Sequence, residues 1–282
     1  MTAELIRGPV VDKAIRDEII QEVQEIRERT GKRPGLSIIL VGDNPVSRAS
    51  ALDKEKMAEE LGFFSVVKNF PATITQEELI AVIDQYNHNK NIHAIRVQLP
   101  LPDYLDEHRM IEAVQPQKEV DALHPVNMGN LILGEEETYI PIAPLACLKM
   151  LTFINYDLNG KHAVVVGRSN IMGKPMSVLL LQQDATVTTC HSRTTNLSEI
   201  CRMADVLVVA IGRPQLVKKE WVKSGAVVID VGINRVGDKV LGDVDYLKVS
   251  QVAGFITPPG EVGAMTDTMF MLNTLQSFKR NL

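Results

Sequence analysis

The chain has 282 residues, with 30 Lys plus Arg against 35 Asp plus Glu and a formal net charge of −5. At 45% hydrophobic and 23% charged it reads as a soluble globular protein, long enough for two domains with separate cores. The acidic balance removes the electrostatic case for nucleic acid or an anionic membrane as partner. The N-terminal segment is charged every few residues, so neither a signal peptide nor a membrane span is expected there. Cys147, Cys190 and Cys201 show no C-x-x-C spacing and read as reduced thiols of a cytoplasmic protein. The histidines show no H-E-x-x-H spacing, so no catalytic metal is expected.

Short apolar runs alternate with helix-period segments, the pattern of βαβ units and a mostly parallel sheet. Leu36–Val41 predicts a buried strand, Val46–Leu61 a helix closed by Gly62, and Phe63–Val67 a second strand. Gln76–His88 predicts a helix with Thr73 or Thr75 as its cap. Ala94–Gln98 predicts a third strand, stopped by Pro100 and Pro102. Residues 103–140 are mixed, and Pro141–Pro144 reads as a domain crossing. The second half opens with a helix at Leu145–Phe153, a strand at Ala163–Val166 and a helix opening near Pro175. Strand Ala185–Thr189, a helix around Leu197–Met203, and strands Val206–Ala210 and Ala226–Val231 follow. Asn234–Gly242 reads as a hairpin on Gly237-Asp238, and Thr266–Lys279 as a last helix able to pack on the first domain.

The segment VVVGRSNIMGKP runs from a buried strand into a helix. Gly167 and Gly173 bracket a loop that lets backbone N–H groups approach phosphate oxygens at the helix N-terminus. The spacing is G-x-S-x-x-x-G, a weak signal that a tight turn without ligand also explains. At the end of the next strand, where NAD-specific folds place a carboxylate for the ribose 2′-OH, this chain has Thr189-Cys190-His191-Ser192-Arg193-Thr194. Hydroxyls and a cation there, with Arg168 in the first loop, favour a 2′-phosphate and so NADP. A solvated turn carrying Arg193 is the plain alternative.

In the first half, Lys54 shares a helical face with Met57 and Leu61, and Ser50 lies one turn earlier on that face. A lysine on a core-facing stripe either lines a cleft or snorkels to its edge. Gln98 ends a strand where ligands of parallel sheets bind, or else bonds loop backbone. Asp121 is a further polar candidate, with a turn or cap role as its alternative. His124 reads as a structural hydrogen-bonder.

Together VGDNPVS, VQLPLP, HPVNMG, VVVGRSNIMGKP, TVTTCHSRT, GAVVIDVGIN and GDVD resemble the bifunctional methylenetetrahydrofolate dehydrogenase/methenyltetrahydrofolate cyclohydrolase family, along nearly the whole chain. The resemblance implies an α/β protein with two parts. One is an N-terminal three-layer α/β catalytic domain over residues 1–140, joined by the C-terminal helix 266–282. The other is a Rossmann-type, doubly wound NADP-binding domain over 141–265. It further implies a homodimer and a folate-type substrate.

By resemblance, Lys54, Gln98 and Asp121 are catalytic. Ser50, Asp121, Pro259, Gly260 and Gly263 are substrate-binding. Gly167, Arg168, Ser169, Gly173, His191, Ser192, Arg193 and Ile233 bind the cofactor. The departures from the family gather on the folate side. Ser50 stands for a stacking tyrosine, Arg96 for a leucine, Glu119 for an aspartate, and Ala122-Leu123 for Gly-Phe. Ile142-Ala143-Pro144-Leu145-Ala146 replaces Cys-Thr-Pro-Ala-Gly, and Glu261 occupies a glycine position in a shortened loop. The expected function is NADP-dependent oxidation of 5,10-methylenetetrahydrofolate followed by hydrolysis to 10-formyltetrahydrofolate, the second step possible in weakened form. Two alternatives stay open. One is a paralogue acting on another small substrate, suggested by the charges of Arg96 and Glu261. The other is a non-catalytic NADP-binding protein.

Overall fold

Apolar runs flanked by amphipathic helices assemble into two parallel sheets in a computed structural model that describes residues 2–282. In chain order the first elements are β1 (Glu4–Leu5), α1 (Gly8–Thr30), β2 (Gly35–Val41), α2 (Pro45–Glu60) and β3 (Phe64–Phe70). Next come α3 (Gln76–His88), β4 (Ala94–Val97), α4 (Glu107–Ala113), α5 (Pro125–Leu133) and α6 (Ile142–Phe153). Then follow β5 (His162–Val166), α7 (Gly173–Gln182), β6 (Thr186–Cys190), α8 (Leu197–Arg202), β7 (Val206–Val209) and β8 (Val227–Asp230). The last are β9 (Asn234–Val236), β10 (Lys239–Leu241), α9 (Tyr246–Val249), β11 (Phe255–Ile256), α10 (Glu261–Ala264) and α11 (Thr266–Arg280). The chain divides into two compact units. One holds the chain up to Lys13, Leu131–Glu136 and Pro141–Met269, and the other Ala14–Asn130, Glu137–Ile140 and Phe270–Leu282.

The unit containing Ala14–Asn130 is built on a three-stranded parallel sheet in the order β3-β2-β4. Its centre is β2, buried at every position, as a strand covered on both faces must be. Ile39 and Val41 of β2 join Ile95 and Val97 of β4, Leu79 and Ile83 of α3, and Met110 of α4 in one apolar cluster. Because side chains alternate across a strand, Arg96 and Gln98 leave the face opposite to Ile95 and Val97. Helix α2 starts on Asn44, whose side chain accepts from the N–H groups of Val46 and Ser47, with Pro45 in the first turn. Its buried stripe is Ser47, Ala51, Lys54, Met57 and Ala58. Helix α3 carries a full capping box between Thr75 and Glu78, so Thr75 and not Thr73 is the cap.

The other unit carries a six-stranded parallel sheet, β1-β11-β8-β7-β5-β6. Valine-rich β5, β7 and β8 form its middle, and β7 and β8 are buried throughout. The hairpin β9–β10 forms on Gly237-Asp238, with Gly237 at φ +58°. Several elements were not anticipated. β1 adds to the sheet edge through β11, Glu4 opposite Phe255. Helix α1 buries Val11, Ile15, Ile19, Val23 and Ile26, a helical stripe that the charges around it obscure. The mixed stretch holds α4 and α5, too short to show a period. No helix is long and apolar enough to cross a membrane among the described residues.

Candidate active site

The strand-to-helix loop between β5 and α7 is fixed by backbone packing. Gly167 sits at φ +131°, and a Cβ there would lie 2.3 Å from the Ala210 carbonyl oxygen. A Cβ on Gly173 would lie 2.2 Å from the Gly167 carbonyl oxygen and 2.7 Å from the Arg168 nitrogen. Both positions therefore require glycine, whatever the motif's spacing. The Gly173 N–H donates to Ser169 Oγ at 3.4 Å, and Gly173 opens a ten-residue helix. Arg168 and Ser169 are exposed at this turn. At the end of β6, His191 Nδ1 accepts from the Arg193 N–H at 3.1 Å, and Thr194 Oγ1 accepts from the His191 N–H at 2.9 Å. This turn leaves Ser192 and Arg193 exposed, and no carboxylate stands in it. A glycine cradle, a helix N-terminus and two exposed guanidinium groups suit a phosphorylated dinucleotide.

GAVVIDVGIN and GDVD are joined by a buried carboxylate pair. Asp230 accepts from the N–H groups of Gly232, Asp243 and Val244 at 3.0, 2.9 and 3.0 Å. Asp243 accepts from Ile211, Gly212 and Arg213 at 2.7, 2.9 and 2.8 Å, and from the Asn234 side chain. Burial pushes the Asp230 carboxyl up to about 7. The network roots the loop that bears Ile233, and a Cβ on Gly263 would lie 2.4 Å from Ile233 Cδ1. Gly260 caps α10 in the left-handed region at φ +81°, following Pro259. Glu261 is not a loose pocket charge. It pairs with Arg7 Nε at 3.0 Å and accepts the first N–H of α1, from Gly8, at 2.6 Å.

In the other unit, Lys54 is only 3% exposed, and its Nζ donates to Ser50 Oγ at 2.8 Å. Ser47 Oγ and Gln98 Nε2 both donate to the Leu99 carbonyl, at 3.3 and 3.0 Å, which joins the first turn of α2 to the end of β4. Gln98 Oε1 is buried and has no hydrogen-bond partner. A buried acceptor needs a donor, and a bound ligand is one source of it. Asp121 is paired with Arg96, Nη1 to Oδ1 at 2.9 Å, both side chains largely buried. The Arg96 guanidinium carbon also lies 5.1 Å from the centre of the Phe270 ring. The Arg96 charge, like that of Glu261, is thus consumed internally.

The segment before Asp121 is held by Asn273, whose Nδ2 donates to the carbonyls of Val120 and Ile140 at 2.8 and 2.9 Å. After it, Ala122 adopts φ +60°, a region that costs a side chain free energy and that glycine fills without strain. Glu119 is buried, and its Oε2 accepts from Leu123 N, His124 N and Asn127 Nδ2 at 2.8, 2.8 and 3.4 Å. Burial, then the neighbouring Asp121 charge, raises its carboxyl to about 7. His124 is a structural hydrogen-bonder, its Nδ1 accepting from the Val126 N–H at 3.1 Å.

Residues 6–121 match the catalytic domain of the tetrahydrofolate dehydrogenase/cyclohydrolase family, and residues 141–282 its NAD(P)-binding domain. The chain belongs to this family. The bifunctional protein FolD of Halalkalibacterium halodurans is 49% identical over 99% of this chain and 100% of its own. Among solved structures, the bifunctional FolD methylenetetrahydrofolate dehydrogenase/cyclohydrolase of Campylobacter jejuni superposes with a TM-score of 0.95. It shares 42% identity over 99% of this chain and 100% of that one. The N5,N10-methylenetetrahydrofolate dehydrogenase-cyclohydrolase of Trypanosoma brucei, complexed with NADP cofactor and inhibitor, gives a TM-score of 0.91. Identity there is 39%, over 99% of this chain and 98% of that chain. Sequence reasoning missed the supporting residues: Asn273 and Phe270 in α11, and Asn127 beneath Glu119. Asn127 stands inside the quoted HPVNMG segment, while Asn273 leaves no motif-level signal.

Proposed function

We propose that the protein oxidises 5,10-methylenetetrahydrofolate to the 5,10-methenyl form with NADP, then hydrolyses it to 10-formyltetrahydrofolate. The reading rests on family membership and on one observation: a buried Lys54 and an orphaned Gln98 Oε1 on the unit that also carries Asp121. Residues 14–130 and the end of α11 supply the folate-side chemistry, and Pro141–Met269 the dinucleotide site. NADP, when bound, accepts the hydride that leaves the methylene carbon. The two flanking nitrogens stabilise the resulting cation, so the chain's task in this step is orientation. Gly167, Ser169 and Gly173 would present the loop to phosphate, and Arg168, His191, Ser192 and Arg193 would hold the 2′-phosphate. By the family resemblance, Ile233 belongs to the cofactor site, and Pro259, Gly260 and Gly263 to the substrate site.

Hydrolysis adds water to the methenyl carbon, breaks the bond from that carbon to N5, and releases one proton. Lys54 Nζ moves that proton, with Ser50 Oγ as its hydrogen-bond partner and Gln98 Oε1 holding the water or a ring N–H. Asp121, held in place by Arg96, reads the pterin edge. A 2-amino-4-oxo ring offers two adjacent donors, and the Asp121 carboxylate accepts them. The two charges that argued for a different substrate are both paired within the fold, which favours folate. The protein is read as cytoplasmic and as a homodimer, and light scattering on the purified protein checks the second.

Purified protein given 5,10-methylenetetrahydrofolate and NADP should produce methenyl absorbance and NADPH together, with far less turnover on NAD. Lys54→Met should slow hydrolysis about 100-fold or more while NADP binding is kept. Intact NADP binding with no turnover by the unaltered protein would discard the reading.

A further inference from the structure

Ligands of open parallel sheets bind at the carboxyl ends of the strands, where Gln98 leaves β4. At the other end of the same sheet, just before β2, β3 and β4 begin, lies a cavity of about 830 Å³. That volume is in the range of small-molecule sites. Nothing in the reactions proposed above uses it.

Its lining includes Lys32, Arg33, Lys90 and Lys118 and no aspartate or glutamate, on a chain whose acidic residues outnumber its basic ones. Lys32, Arg33 and Lys90 form no ion pair among the described residues, and Arg33 stands over the Phe64 ring at 5.5 Å. Lysines on a convex, solvated face need no explanation. These line a concavity, and two further groups of its lining are partly or wholly buried, Lys118 and His93. Lys118 Nζ donates to the carbonyls of Tyr86 and Asn89 at 3.0 and 2.8 Å, leaving one of its three donors unspent. Burial lowers its pKa, so its ammonium is short of solvation.

His93, also buried, accepts the Gly35 N–H on Nδ1 at 3.0 Å. Burial, then the Lys118 charge, holds its pKa down near 4, so the ring is neutral and carries its proton on Nε2. It is therefore a donor as well. His88, the other histidine in the lining, turns to Asp84 at 3.3 Å.

We propose that this cavity is a second ligand site, taking a polyanion of the triphosphate class. Four cations and a neutral imidazole N–H offer donors and no acceptor carboxylate, which suits an anion bearing several charges. Free tripolyphosphate and the phosphate tail of a nucleotide share this chemistry. Phe64, about one third exposed (37%), gives a nucleotide an additional apolar contact.

The test is calorimetric titration of NADP-saturated protein, so that the dinucleotide site is filled, with inorganic tripolyphosphate and separately with uridine triphosphate. One-to-one binding that weakens with salt, and about 10-fold or more in Lys32→Glu/Lys90→Glu, supports the site. Dehydrogenase turnover of that variant should be unchanged. The His93 ring resonances should shift on titration, a readout blind to events at the dinucleotide. Tighter binding of uridine triphosphate names a nucleotide as the source, and equal binding names the anion alone. Lys118→Met, which removes the partly buried charge, serves if the double variant fails to fold. Absence of saturable binding, or binding that survives these substitutions, overturns the proposal.

Discussion

The β5–α7 loop and the Lys54–Asp121 region, the two candidate ligand sites, are built from different materials. The first is made of backbone: Gly167 and Gly173 are in such close contact that no side chain is admitted at either. The second is made of side chains held by other side chains, Lys54 by Ser50, Asp121 by Arg96, and Glu119 by Asn127. Backbone packing tolerates no gradual change at either glycine. A network of side chains can exchange partners one at a time, so substitutions are easier to accommodate there.

The contrast breaks most visibly at Gly173. Gly173→Ala places a Cβ against the Gly167 carbonyl and should cost about 3 kcal/mol of stability, read by urea unfolding, with NADP affinity falling alongside. A well-folded variant with normal NADP affinity would mean that the loop is looser than its packing states.

A subtler difference is expected at Glu119. Its folded pKa, about 7, lies above the ordinary 4.5, so the folded state holds a proton that the unfolded chain releases. Its contribution is complete below about pH 4.5 and is lost as pH rises through 7, by up to about 3 kcal/mol. Glu119→Gln mimics the protonated form, so the difference in stability between variant and unaltered protein should grow from pH 5 to pH 8. A difference that is constant across that window would refute the assignment. Smallest is Ala122→Gly, which relieves the left-handed strain and should raise stability by about 1 kcal/mol without altering turnover. Destabilisation would show that the alanine methyl packs usefully despite its backbone.

What could be read from the sequence was whatever a local pattern encodes. LSIILV announces the central strand, Thr75 with Glu78 a helix start, and Gly237-Asp238 a hairpin, because each depends on near neighbours. The stripe Val11, Ile15, Ile19, Val23, Ile26 was equally local but lay under a dense overlay of charge. The partners of Arg96 and Glu261 were out of reach. One is 25 residues away and the other 254, and no periodicity reports a tertiary ion pair. Read from position alone, both charges suggested an altered substrate. Their partners instead make Glu261 a helix cap and Arg96 a support for Asp121.

Glu261 has one more effect. By gripping Arg7 and Gly8, and with β1 laid along β11, it ties the first residues of the chain to the loop of Pro259, Gly260 and Gly263. Deleting the opening stretch would therefore strip an edge strand from the sheet and release a loop more than 250 positions downstream, loosening the proposed substrate loop by a change remote from it in sequence.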